Sequence, residues 1–397
     1  MSPYRPDRMR FGIFMAPFHR VGENPTLALE RDLALIEYLD NLDFDEAWIG
    51  EHHSAGWEII ASPEVMIAAA SQRTKSIRLG TGVSSLPYHH PFMLADRMLQ
   101  LDHLTRGRAM LGVGPGALAT DAYMMGIDPV TQRPRMDEAL GAILALFRGE
   151  TVTMETEWFT LNEARLQLAP YRRPHMEVAV ASTFSPAGPT SAGKHGVGML
   201  SVTAAQPGGM TNAAAGWQIA EEEAAKAGKT IDRDDWRVLI SMHLADSREE
   251  AVRDIEEGAT RFYTEYFGKT IGRPGTFDDW TFAGAVESGG IVVGTPDDAI
   301  EAVERIIDIT GGFGCLLFQA HEWTTWEKTR HSFELWARHV APRFQGQIEV
   351  IEAARDWSAA NRTTIFERAG AATIKAFADA GRELPPEVAE RMQRGQN

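Results

Sequence analysis

The chain of 397 residues is 44% hydrophobic and 24% charged, ordinary values for a globular protein with a substantial core. A formal net charge of −16 argues against non-specific attraction to nucleic acid or to an anionic membrane surface. A single cysteine, Cys315, excludes an intramolecular disulfide, and no apolar run approaches the ~18 residues of a membrane span, so a cytoplasmic enzyme is expected.

In chain order, "RFGIFMA" reads as a strand, and "NPTLALERDLALIEYLDNL" as a helix capped by Asn24 with Pro25 at its first position. "EAWIGE" is the second strand, followed by a helix over "SPEVMIAAASQRT" with Ser62 as its cap. "SIRLGTGV" and "GRAMLGVG" are the third and fourth strands, each leading into a helical pattern. "TVTMETEWFTLNEARLQL" then interrupts as a small β insertion. "MEVAVAS", "VGMLSV", "DWRVLISMHLA" and "GCLLFQA" complete eight strand–helix units. That alternation predicts an α/β (β/α)8 TIM barrel over residues 9–345, with a doubly wound open sheet as the alternative. Residues 268–292, Gly-rich and without clear period, read as a mobile lid; residues 346–397 read as a C-terminal helical extension.

In such a barrel the chemistry sits at the C-terminal ends of the strands. There the first strand offers Met15, Ala16 and Phe18, and the second Glu51, His52 and His53. The third offers Gly82, Val83, His89 and His90, the fourth the Gly-rich "GVGPGALATD" with Gly114, and the fifth Ser182, Thr183 and Ser185. The two adjacent histidine pairs lack metal-ligand spacing, since sequence neighbours point apart, so no metal is expected. "GVGPGALATD" fails as a dinucleotide fingerprint because Ala117 stands where the third glycine belongs. Its glycines suit close backbone approach to a flat ligand. "ASTFSP" is either an anion site before a helix or simply a cap. A neutral imidazole at His52 is expected to donate a hydrogen bond or move a proton, with Glu51 either orienting it or pointing back to the helical shell. His90 is a second polar candidate, and His53 reads as structural.

The motifs "MRFGIFMAP", "FDEAWIGEHH", "IRLGTGVSSLPYHHP" and "LDHLTRGRAMLGVGPG" resemble, in order, those of the bacterial-luciferase-like flavin monooxygenases. "NPTLALERDLALIEYLD" and "IGEHHSAGWEIIASPE" place the resemblance closest to the limonene-monooxygenase-type branch. It extends over roughly residues 9–342.

The resemblance implies a barrel that takes reduced FMN (FMNH2), supplied through a separate flavin reductase that uses NAD(P)H. The reduced flavin reacts with O2 to give a C4a-hydroperoxyflavin, which transfers one oxygen atom to a small hydrophobic organic substrate. It implies His52 as the catalytic residue, and Glu51 and His90 are read beside it as supporting candidates. It also implies a cis peptide at Gly82–Val83 under the flavin ring, with Met15, Ala16 and Gly114 nearby and Ser182 and Ser185 at the phosphate. The family carries an arginine where this chain has Gly114, Pro115 and Gly116, which leaves Lys194 and Arg172 as substitute cations. Phe18 and Trp57, together with Met15, Trp323 and Trp326, either line an apolar substrate site or pack barrel loops. A homodimer or homotetramer is expected. The alternatives are an F420-dependent hydride-transfer enzyme on the same barrel and a non-catalytic flavin-binding barrel.

Overall fold

Eight parallel strands close into a ring: β1 (Arg10–Met15), β2 (Glu46–Ile49), β3 (Arg78–Thr81), β4 (Ala109–Gly114), β5 (Glu177–Ser182), β6 (Gly198–Ser201), β7 (Trp236–Leu244) and β8 (Cys315–Gln319). Each pairs with the next, and β8 returns to β1 with Cys315 opposite Arg10. The expected (β/α)8 barrel is therefore present, and the open-sheet alternative falls. The computed structural model describes residues 2–16, 18–202, 208–272 and 277–394, with side chains as far as 390. By compactness it divides into Met1–Ala341 and Pro342–Asn397. The second unit consists of the helices Ile348–Ala360, Arg362–Asp379 and Pro386–Arg394.

Strands buried on both faces read as continuous apolar runs, and β2, β4 and β7 are buried throughout. Phe14, Trp48, Met110, Leu200, Leu239 and Leu317 meet in the barrel interior, one each from six strands. Trp48 fits there because its neighbour on β3 is glycine; a methyl at Gly80 would lie 2.5 Å from the indole.

Below this apolar layer the first turns of the strands carry charge. Glu46 of β2 lies 3.0 Å from Arg10 of β1 and 3.0 Å from Nε of Arg237 on β7, and it also pairs with Arg78 of β3. Glu177 of β5 pairs with Arg78 at 2.5 Å and with Arg237. Burial opposes ionisation of Glu46, but the Arg237, Arg78 and Arg10 guanidiniums outweigh it and hold the carboxyl well below the usual range.

Asn24 caps its helix as expected, accepting from the amides of Thr26 and Leu27. Ser62 does not cap the next one: its hydroxyl donates to Glu64 instead. The β insertion is a hairpin of Val152–Glu155 and Thr160–Ala164.

The expected lid, 268–292, is a more structured element than its glycines suggest. Its first residues belong to a π-helical stretch, Phe262–Ile271, that continues the helix Arg248–Arg261. A helix follows at Phe282–Glu287, and Ile291–Gly294 is a strand, while 273–276 lie outside the described residues. That strand adds in parallel to the upper half of β7, Ser241–Leu244. Four residues between glycines were too short to show a period, and pairing along β7 decided their conformation.

Candidate active site

Two sizeable cavities open near the strand ends. The larger, 530 Å3, lies between the loops after β1 and β8, lined by mixed charges such as Arg31, Glu23 and Glu322 that already pair with one another. The other, 360 Å3, sits over the barrel axis and gathers the ends of most strands. It combines apolar walls with a few convergent polar groups, the usual character of a small-molecule site.

Of the residues expected from the sequence, Ala16, Phe18, Glu51, His52, Gly82, Val83, Gly114 and Ser185 line this axial cavity. The Gly82–Val83 peptide is cis. A methyl at Gly114 would meet the Val83 side chain at 2.7 Å, so β4 needs a glycine to pass the Gly82–Val83 turn.

The remaining expectations require correction. Met15 faces the other cavity, as does Trp326. Ser182 is buried off the lining, its carbonyl accepting from Val202 N. Trp57 and the buried Trp323 belong to an aromatic cluster with Phe262 and Tyr266, outside the axial cavity. His90 precedes the helix Pro91–Leu104 and packs on Phe159 at 6.1 Å. Lys194 is paired with Asp137 on the outer helices at 2.5 Å. Arg172 lies in the turn before β5, bound through its amide to Asp102, at the opposite end of the barrel.

The loop after β2 doubles back on itself, its His52 amide bonded to the Ile60 carbonyl, and this fold-back brings Glu58 beside His52. Glu58 Oε2 lies 3.0 Å from His52 Nε2, and Asp121 Oδ2 lies 3.2 Å from Nδ1. Oε2 has no aligned hydrogen-bond donor, so the Glu58 contact is chiefly an ion pair. The other Glu58 oxygen accepts from the buried hydroxyl of Tyr266 on the π-helical stretch. Burial disfavours a charged ring at His52. The Glu58 charge and the bond to Asp121 outweigh it and carry the pKa up to about 10. The two carboxylates thus favour an imidazolium over the neutral imidazole expected from the sequence.

Glu51 does not orient His52. Its Oε1 accepts from His53 at 3.0 Å and His89 at 2.8 Å, and its Oε2 accepts from Ser85 N at 2.8 Å. Despite burial, these donors hold its pKa down at about 2. It ties the loops after β2 and β3 together and binds His53 to them.

Among the lining or adjoining residues that were missed are Glu58, Asp121, Tyr266 and Arg133. Glu58 and Asp121 sat inside stretches read only as loop, where no spacing relates them to His52. Arg133 is on the second turn of the helix Pro129–Phe147, lines the axial cavity, and makes no ion pair among the described residues. A search for cations over the first two turns of the helices, rather than at strand ends alone, would have found it.

The luciferase-like monooxygenase family model matches residues 9–311. The chain belongs to the luciferase-like monooxygenases. This family member is 47% identical to limonene 1,2-monooxygenase of Rhodococcus erythropolis, over 86% of this chain and 88% of that one. It is also 47% identical to 4-hydroxyprotoasukamycin monooxygenase of Streptomyces nodosus subsp. asukaensis, over 89% and 97%. Among solved structures, the oxygenating constituent of 3,6-diketocamphane monooxygenase from Pseudomonas putida, a type II Baeyer–Villiger monooxygenase in complex with FMN, superposes with a TM-score of 0.73 at 26% identity, over 84% of this chain and 98% of that one. The protein is thus a monooxygenase of luciferase-like type in the limonene-monooxygenase-type branch. Among the described residues no helix is long and apolar enough to cross a membrane.

Proposed function

We propose that the axial cavity binds FMN in its reduced form and that the enzyme oxygenates a small hydrophobic organic molecule. The observation that carries this is the division of the lining. Val83, Val202 and Leu239 offer an apolar bed beside Gly82 and Gly114, while Thr183 and Ser185 offer hydroxyls and Arg133 a cation with no ion pair among the described residues. The helix Ala187–His195 starts beside those hydroxyls, with Ser185 accepting from Ala187 N at 3.2 Å. Hydroxyls, a helix start and a guanidinium suit a phosphate, and the apolar bed suits a flat ring. The FMN complex of the diketocamphane relative supports the same reading.

Reduced flavin, when bound, activates O2 and supplies one oxygen atom to the substrate, the other leaving as water. The chain's own residues orient, shield and donate protons. Arg133, Thr183 and Ser185 would hold the phosphate. His52, as an imidazolium, is a proton and hydrogen-bond donor facing the cavity rather than a base. Phe18, Tyr263, Phe267 and Ile271 form an apolar wall that suits a terpene-like substrate and excludes water. A flavin-dependent trigonelline monooxygenase of Acinetobacter baylyi, 32% identical over 36% of this chain, is an oxygenase component, which supports a separate flavin reductase as partner.

The test is turnover of limonene as probe with FMN, NADH, an added flavin reductase and oxygen-18-labelled O2. We expect one labelled oxygen atom in the product, lost when reductase is omitted. Selective binding of reduced F420 over FMNH2, with hydride transfer and no label, would establish the F420-dependent alternative instead.

A further inference from the structure

Tyr266, Glu58, His52 and Asp121 form one line of buried or nearly buried polar side chains drawn from three separate elements. Tyr266 comes from the π-helical stretch, Glu58 and His52 from the loop after β2, and Asp121 from the short helix Ala119–Met124. Tyr266 is 1% exposed and Glu58 4%. Asp121 also accepts from His53 N and from the Ser54 hydroxyl, so it is fixed by the β2 loop alone. Glu58 differs, for its second oxygen depends on a residue of the cavity wall.

We infer that Glu58 and Tyr266 are positioning residues for His52: Tyr266 holds the Glu58 carboxylate, and Glu58 holds the positive charge of His52 in an ion pair while the Phe262–Ile271 stretch is seated. The inference rests on the reading of the cavity given above. Phe18 fastens the stretch to the loop after β1, its ring 4.5 Å from Phe262 and 5.0 Å from Tyr266. Seating this wall therefore buries Glu58 and supplies its hydroxyl donor in one movement. A carboxylate stripped of that donor and exposed to water attracts the imidazolium less, because water screens the pair. The charged and titratable groups around His52 are Glu58, Asp121 and His53, with Tyr88 beside His53 and Glu51 behind it. Among the described residues only Glu58 is held from the wall. Asp121 is bonded to Nδ1 and to the His53 amide on the β2 side, so the wall acts on His52 through the Glu58 charge. A cavity that closes before chemistry thereby fixes the position and charge of its imidazolium as water is excluded.

The experiment titrates His52 by NMR in the full-length protein labelled with nitrogen-15 at histidine, its signal assigned by loss in His52→Gln. In the parent protein Nε2 stays protonated beyond pH 9, toward the value of about 10. Glu58→Gln is expected to lower the midpoint by about 2 pH units, the effect of losing an adjacent opposite charge. Tyr266→Phe, which keeps the ring and its packing, is expected to lower it by about 1 unit and to speed amide exchange across 262–271 about tenfold. An unshifted His52 midpoint in Tyr266→Phe would sink the coupling, and an unshifted one in Glu58→Gln would sink the whole inference. Neither needs flavin or turnover, so their failure leaves the oxygen-18 experiment standing, and the reverse holds as well.

Discussion

His52 sits between two carboxylates, and the consequence for pH follows from the sign of its shift. Its folded pKa is raised to about 10 from an ordinary 6.5. Its ion pairs therefore stabilise the fold fully below pH 6.5, and that contribution is lost as pH rises through the folded value. Arg133 faces the same cavity without an ion-pair partner of its own among the described residues. Arg133→Ala should weaken FMN binding about tenfold or more, the loss of a charge-assisted hydrogen bond to phosphate, with little change in the unfolding midpoint. Fluorescence titration with FMN and with riboflavin checks this, since riboflavin, lacking the phosphate, should bind parent and variant alike. At this scale the sequence was informative where a residue is adjacent to a strand end, as His52, Gly82 and Ser185 are. It was silent on Glu58 and Tyr266, because their meeting depends on a fold-back and on a helix about 200 residues away, and neither leaves a periodic trace.

At the scale of elements, the ends of β3 and β4 are matched surfaces. Gly114 passes the Gly82–Val83 turn so closely that a methyl would stand 2.7 Å from Val83 Cγ2. Gly114→Ala should therefore displace Val83 into the cavity and weaken FMN binding about tenfold to a hundredfold, while costing about 1–3 kcal/mol of stability by overpacking. Equilibrium unfolding beside flavin titration separates the two effects, and unchanged binding would mean the turn yields elsewhere. The strands that build the ring were legible because burial on both faces makes each one an apolar run bounded by turns. The Ile291–Gly294 strand was not, since four residues flanked by glycines carry no pattern that distinguishes pairing from loop.

Across the whole molecule, the mouth and the floor of the barrel use charge for different ends. The floor joins Glu46 and Glu177 to Arg10, Arg78 and Arg237, linking β1, β2, β3, β5 and β7 through side chains. Glu46→Gln leaves buried guanidiniums uncompensated and should cost about 3–5 kcal/mol. Because the Glu46 pKa is depressed, its contribution is present above the ordinary glutamate value of 4.5 and is lost as pH falls toward the lower folded value. Thermal unfolding of parent and variant from pH 7 to pH 3 should therefore show their difference shrinking on the acid side. A gap that stayed constant with pH would assign the cost to packing instead.

The strand Ile291–Gly294 has a further bearing on this architecture. The chain leaves β7 at Leu244 and comes back to pair with Ser241–Leu244 of that same strand. Everything between departure and return, including the stretch that walls the cavity, is a closed excursion hung from one point of the ring. Its length and side chains can be exchanged without shifting the register of any barrel strand. Descent with modification can therefore redraw this wall of the cavity while the barrel strands keep their pairing, and relatives built on one barrel can differ in the wall they present.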